Sequence, residues 1–249
     1  MASAYGEQIG FASGVLVGTR NDITGATPRR FGILQEVQVD YSADLKQLHG
    51  QGRYALALAP GKTKVEIKAK FAGIRADVYN DLYFGGTTAA TQIKFADSEV
   101  GTIPGSVAYT VTVSNSATWL ADQGVFYSAT GLPFKKVASA PAVGQYTVAA
   151  GVYTFAAADA NKVVLITYTY STTSGVLIPI ANQVMGTGPS FQVALMRTFD
   201  GRQEVWTFNN CKSSKLALPT KQDDFTIFEM DFMVAADAAG NIGSISAEL

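Results

Sequence analysis

His49 is the only histidine and Cys211 the only cysteine in the 249-residue chain. A structural zinc site would have to combine one imidazole, one thiol and carboxylates, and no recognised ligand spacing brings these together. A nucleophile and base pair would have to use His49 as its base, but this residue lies in SADLKQLHGQGRY, a polar segment that reads as a loop. No G-x-S-x-G elbow occurs. The run Gly50-Gln51-Gly52-Arg53-Tyr54-Ala55 fits a loose dinucleotide fingerprint, which needs a helix after it, yet a strand-like run follows. Gly186-Thr187-Gly188-Pro189-Ser190 lacks both the third glycine and the P-loop lysine. Carboxylate pairs at Asp77 and Asp81, Asp97 and Glu99, and Asp223 and Asp224 have the chemistry for acid-base work or a divalent cation. The first pair reads as a solvated helix face and the other two as loop residues. The expectation is a protein with no catalysis, no cofactor and no metal.

The elements that carry these residues are mostly strands. In FGILQEVQVDY, Ile33, Val37, Val39 and Tyr41 alternate with Glu36, Gln38 and Asp40, a period of two that gives one apolar and one charged face. YALALAPGKTKVEIKAKF reads as two strands joined at Ala59-Pro60-Gly61-Lys62. GIRADVYNDLYF spaces Ile74, Val78 and Leu82 four apart and ends at Gly85-Gly86, which predicts one helix over 74–84. Short segments rich in Val, Thr and Tyr follow, from VAYTVTV to VVLITYTYS, at the spacing of a sandwich or barrel. Asp200-Gly201 between FQVALMRTF and RQEVWTF predicts a hairpin. TIFEMDFMV puts Phe228, Met230, Phe232 and Val234 opposite Glu229 and Asp231.

Composition limits the setting. Charged residues are only 16% of a chain that is 47% hydrophobic, so part of the surface is expected to be interface. A net charge of -1 gives no footprint for sequence-independent nucleic-acid binding. One cysteine allows no internal disulfide and points to a reducing compartment. No run of about 18 apolar residues occurs, and no secretory signal opens the sequence, so the expectation is a chain that neither spans a membrane nor is exported. Domain organisation reads as a glycine-rich flexible arm over 1–30, a β-sandwich core over 31–103 and 174–249, and an inserted or outer-wall β lobe over 104–173.

The run FGILQEVQVDYSADLKQLHGQGRYALALAPGKTKVEIKAKFAGI resembles the N-terminal segment of major tail tube proteins of long-tailed bacteriophages. There an E-V-x-x-D-Y strand leads through a D-L-K-x-L loop and a G-Q turn to a K-x-K-F strand before a helix. GQYTVAAGVYTFAAADANKVVLITYTYS is similar to a middle β-segment of such virion proteins. NNCKSSKLALPTKQDDFTIFEMDFMVAADAAGNIGS resembles their terminal hairpin and strand. The resemblance implies a mainly β fold, a tail-tube-type sandwich or barrel with one flanking helix. It also implies six-membered rings that stack into a hollow tube through which DNA passes without specific binding. Partners would be other copies of the chain, the tape measure, baseplate and terminator proteins, and a sheath if the tail contracts. The place would be the virion, assembled in the host cytoplasm, with no membrane partner.

Acidic residues on polar strand faces, Glu36, Asp40, Glu229 and Asp231, are the candidates to face the lumen and repel phosphates. An ordinary solvated face is the other reading of these four. The segment Ser42 to Arg53, with Asp44, Leu45, Lys46, Leu48, His49 and Arg53, is the candidate loop for ring-to-ring contact, together with the N-terminal arm. Two further functions stay open: another phage virion β-protein such as a terminator, capsid decoration or baseplate component, and a carbohydrate-binding sandwich using Tyr79, Tyr83, Trp119 or Trp206.

Overall fold

A computed structural model describes residues 14–199 and 201–247. It is mainly β, and the chain divides into two compact units, one formed by residues up to Thr87 together with Ile178 onward, the other by Thr88–Leu177. Strands are numbered along the chain.

The first unit holds β1 (Val15–Arg20), β2 (Arg29–Arg30), β3 (Leu34–His49), β4 (Ala55–Phe71), β12 (Phe191–Phe199), β13 (Arg202–Ala217), β14 (Phe228–Ala235) and β15 (Gly243–Ala247). They form one sheet in the order β2-β1-β12-β13-β14-β4-β3, with β15 paired to β13. The sheet is open, with β2 and β3 at its ends. Alternation decides its faces: Val65, Ile67, Ala69 and Phe71 of β4 and Met230 and Phe232 of β14 are buried in one core with Leu16, Phe191, Val193 and Phe208. The helix α1 (Ala76–Tyr79) continues as a π-helical turn over Asn80–Phe84 and adds Val78 and Leu82 to this core. Gly85, at φ 65°, ends it as a left-handed cap.

Several expectations change here. Residues 15–20, expected to lie in a flexible arm, form β1, which pairs with β12 from Val15↔Met196 to Arg20↔Phe191. Glycine hides this strand from the sequence, and the helix packs close to it: a Cβ at Gly18 would lie 2.7 Å from Leu82 Cδ1, so that side chain would have to shift. Residues 1–13 of that arm, and Asp200 of the expected hairpin, lie outside the described residues, although Phe199 and Arg202 pair across the turn. No turn occurs at Ala59-Pro60-Gly61-Lys62, because β4 runs through it and the chain reverses at 50–54. Proline is tolerated there because only Val65–Phe71 of β4 pair with β14, leaving the second edge at Pro60 unpaired. Gly61 stands beside a register shift between Ala43 and Leu45.

The second unit is β-sandwich-like. A three-stranded sheet, β5 (Gln92–Thr102), β11 (Val163–Thr172) and β7 (Trp119–Tyr127), is antiparallel in the order β5-β11-β7. The other sheet has the order β6-β10-β9-β8, from β6 (Thr110–Thr112), β8 (Lys135–Lys136), β9 (Gln145–Ala149) and β10 (Val152–Phe155). Both sheets contribute to one core containing Val125, Tyr146, Tyr153, Phe155, Ile166 and Tyr168. The unit begins earlier than the expected 104, since β5 pairs along β11 from Gln92↔Thr172 to Thr102↔Val163. Pro104-Gly105 is a turn inside the unit; the junction itself, after Gly85-Gly86, is marked by small residues without proline.

Candidate functional site

The four acids singled out in the sequence lie on one face of the first unit's sheet, opposite its core. Neighbouring strands place Gln38 of β3, Lys68 of β4, Asp231 of β14 and Lys215 of β13 in one cross-strand row. Glu36, Lys70 and Glu229 form the next row. One ion pair follows the register, Lys70 to Glu36 at 2.6 Å; Lys68 to Asp40 at 3.9 Å and Lys215 to Glu229 at 3.0 Å run diagonally between strands, and Lys64 to Glu66 at 2.8 Å lies along β4. The face therefore mixes lysines with acids rather than forming an acidic wall, although Asp40 and Glu66 stand opposite each other, and the lysines weaken the repulsion of phosphate that the acids alone would supply. Lys70 holds its proton more tightly because Glu36 accepts a hydrogen bond from it, and Lys215 does so because of Glu229.

Asp231 differs from the others. It is buried, its Oδ1 has no hydrogen-bond partner among the described residues, and Lys215 approaches its other oxygen only to 4.0 Å. Burial raises its pKa, Glu229 beside it adds to the rise, and Lys215 and Lys68 oppose it.

The segment expected to be a contact loop is instead half of a long β-hairpin. Asp44, Leu45, Lys46, Leu48 and His49 lie in β3, and Arg53 lies in the reversal at 50–54. The arm forms where β3 and β4 go on pairing with each other past the point where β14 stops pairing with β4. Beyond that point the register pairs Leu45 with Pro60 and Gln47 with Leu58 on one face, and Lys46 with Ala59 and Leu48 with Ala57 on the other. Both faces carry aliphatic residues, one beside Gln47 and the other beside Lys46, and neither has a second layer: Leu45, Leu48, Leu56 and Leu58 are 62–73% exposed. Among the described residues no strand pairs with the outer edge of β3 or with the second edge of the arm's β4 portion. His49 is exposed, and its Nε2 lies 3.0 Å from Gln47 Oε1.

The carboxylates considered for acid-base work are committed elsewhere. Asp77 and Asp81 are not a solvated face: Arg29 of β2 bridges them at 3.1 and 2.6 Å, and Arg75 also pairs with Asp77 at 2.9 Å, which ties helix to strand. Asp97 and Glu99 lie in β5 rather than a loop. Glu99 accepts hydrogen bonds from the Tyr168 hydroxyl at 2.5 Å and from the Ser114 N–H and hydroxyl at 2.8 Å. Asp224 pairs with Lys221 at 3.5 Å in the irregular stretch between β13 and β14. Among the described residues no group of three or more His, Cys, Asp or Glu is arranged to hold a metal. Burial pushes the Cys211 thiol up to about 12, which makes it unreactive.

Sequence reasoning missed two buried carboxylates of the second unit. Asp122 accepts hydrogen bonds from the Tyr146 and Tyr153 hydroxyls at 2.7 and 3.1 Å. Asp159, with no exposed surface, accepts from the Tyr127 hydroxyl at 2.9 Å, Lys162 Nζ at 2.7 Å and the Gly144 N–H at 2.9 Å. Burial and the Asp122 carboxylate raise the Tyr146 phenol, so it keeps its proton and acts as a fixed donor. These are ties between strands and loops, without the open approach that proton transfer to a substrate needs.

The aromatics considered for carbohydrate stacking pack inward. Trp119 lies against the second core, Trp206 and Tyr83 against the first, and Tyr79 meets Phe84 edge-on at 6.3 Å. No helix among the described residues is long and apolar enough to cross a membrane. No model of a known protein family matches the chain, and no curated protein sequence matches it.

Proposed function

We propose that the chain is a structural, non-catalytic protein whose partner is itself: copies join into rings, sixfold by the resemblance, and rings stack into the hollow tail tube of a long-tailed bacteriophage. The observation that carries this reading is the hairpin arm. A two-stranded ribbon with aliphatic residues on both faces and open strand edges has no means of burying itself, and an exposed edge of this kind pairs with another chain. Self-pairing in a head-to-tail sense closes rings by rotation and propagates a filament by translation.

The test is negative-stain electron microscopy with size-exclusion chromatography over a concentration series, on the wild type and on the Leu56→Asp, Leu58→Asp double variant. The reading expects rings or hollow tubes from the wild type and monomers of unchanged stability from the variant, since neither leucine belongs to a core. Closed rings that never stack would favour a terminator, and trimers a decoration protein. A wild type that stays monomeric at every concentration, even with preformed tail tips added as initiators, would sink the proposal.

A further inference from the structure

One end of the Thr88–Leu177 unit has a composition unlike the rest of the molecule. Strand directions identify it: Thr102 of β5, Tyr127 of β7 and Val163 of β11 all lie at this end, as do Lys135 of β8 and Gln145 of β9. Four connections meet there; those over 103–109, 128–133 and 137–144 contain no charged residue, and the fourth, over 156–162, carries Asp159 and Lys162. Each of the three uncharged connections projects one aliphatic side chain into solvent: Val107 is 86%, Leu132 61% and Val143 60% exposed. The chain enters and leaves the unit at the opposite end, where Ala89 and Leu177 form a bridge.

The tips are held in place. Asp159 joins the end of β7 through Tyr127, the 137–144 connection through the Gly144 N–H, and its own connection through Lys162. The Ile103 N–H donates to Lys162 O at 3.0 Å and the Ile103 carbonyl accepts from the Asn161 N–H at 2.9 Å, which ties the 103–109 connection to the same segment. Projecting aliphatic residues on rigid supports cannot fold back onto their own core.

Charge in this unit is unevenly placed, although Lys136 reaches back along the strands to Asp122. Three of its lysines, Lys135, Lys136 and Lys162, lie beside the tips, whereas Asp97, Glu99 and Asp122 lie farther along their strands, by the register with Tyr168 and Ile166. The one acid at the end, Asp159, is wholly buried and bonded. Lys136 reaches Asp122 at 3.1 Å and Lys162 reaches Asp159, but both stay about half exposed at 54% and 40%, and Lys135 is exposed with no ion pair among the described residues. Aliphatic spikes that insert below the headgroups, with lysines at the level of anionic lipid, gain from burial and from charge together. Phe126 is the large aromatic exposed near this end, at 38%, and one partly covered ring is less than the stacking platform a glycan needs.

We propose that this end of the Thr88–Leu177 unit docks onto an anionic lipid bilayer, with Val107, Leu132 and Val143 inserted and Lys135, Lys136 and Lys162 at the headgroups. The proposal is independent of assembly through the hairpin arm.

Flotation of the full chain on a density gradient tests it, because vesicles rise while any polymer sinks. The Leu56→Asp, Leu58→Asp variant serves as the monomeric background. The chain should float with vesicles of phosphatidylcholine and phosphatidylglycerol and much less with phosphatidylcholine alone, and added salt should reduce the floating fraction. Val107→Asp and Leu132→Asp should each weaken binding by about tenfold or more, the loss expected when one inserted aliphatic chain is replaced by a charge. Lys135→Glu should reduce binding to anionic vesicles. Circular dichroism checks that each variant is folded. Three results would overturn the proposal: no flotation with anionic vesicles, flotation unchanged by the tip substitutions, or tip substitutions that instead break association between copies without lipid.

Discussion

Two buried aspartates have opposite surroundings and should respond to pH in opposite senses. Burial alone would raise the Asp159 carboxyl, but the Lys162 ammonium, the Gly144 N–H and the Tyr127 hydroxyl outweigh it and leave the group below its ordinary value. Its contribution to stability is present above the unfolded pKa and is lost as pH falls through the lower folded one. Asp159→Ala should cost about 2–4 kcal/mol at neutral pH, because it leaves an ammonium and an amide without their acceptor. The shift of the urea midpoint reported by Trp119, which packs in the same unit, measures it. Asp231 has the raised pKa, so its contribution is present below the ordinary carboxylate pKa and is lost as pH rises through the higher folded value. Asp231→Asn should therefore leave stability unchanged or raise it by up to about 1 kcal/mol at neutral pH, with the difference vanishing in acid. Trp206 reports on that unit, and a clear drop at neutral pH would mean that Lys215 and Lys68 stabilise the ionised form after all. Neither role was legible in the sequence: Glu229 and Asp231 alternate with the same apolar residues, and nothing local says that one is exposed and the other shielded.

At the scale of elements, what was legible is whatever repeats at a fixed period. Alternation in VEIKAKF and FEMDFMV places Val65, Ile67, Met230 and Phe232 in the core, and the helix around Val78 and Leu82 is visible from its spacing. What failed was punctuation. Pro60-Gly61 reads as a turn and is a continuous strand, since an unpaired edge has no use for the missing N–H. Gly18 reads as loop and is strand, since the helix packs directly onto it. Close approach also explains Gly32, where a Cβ would stand 1.6 Å from the Gly73 carbonyl oxygen. That oxygen belongs to backbone that cannot swing aside, so Gly32→Ala should separate the start of β3 from the entry to α1 and cost about 3 kcal/mol. A thermal midpoint matching the wild type would show that the two segments are free to part.

The division into two units leads to a prediction for the whole molecule. Each unit has its own core, and each core is closed by strands of that unit alone. The second unit is one uninterrupted stretch of chain whose ends meet, Ala89 and Leu177 exchanging backbone hydrogen bonds at 3.1 and 3.0 Å. A segment with adjacent ends and an independent core can be removed without pulling its host apart. The fragment 88–177 should therefore fold alone, and the remainder, with Thr87 joined to Ile178 through a short glycine-rich linker, should fold and keep its hairpin arm. Because the two tryptophans fall one in each unit, Trp119→Phe and Trp206→Phe variants make the intact chain report on one unit at a time. Two fluorescence transitions at different urea concentrations, each reproduced by the matching fragment, are the expected result. If the arm is what drives assembly, the remainder should still polymerise without residues 88–177, while the isolated fragment should stay monomeric at every concentration. Coincident transitions together with an unfolded fragment would mean that the cores stabilise each other, and the second unit would then be part of the assembling wall rather than an addition to it.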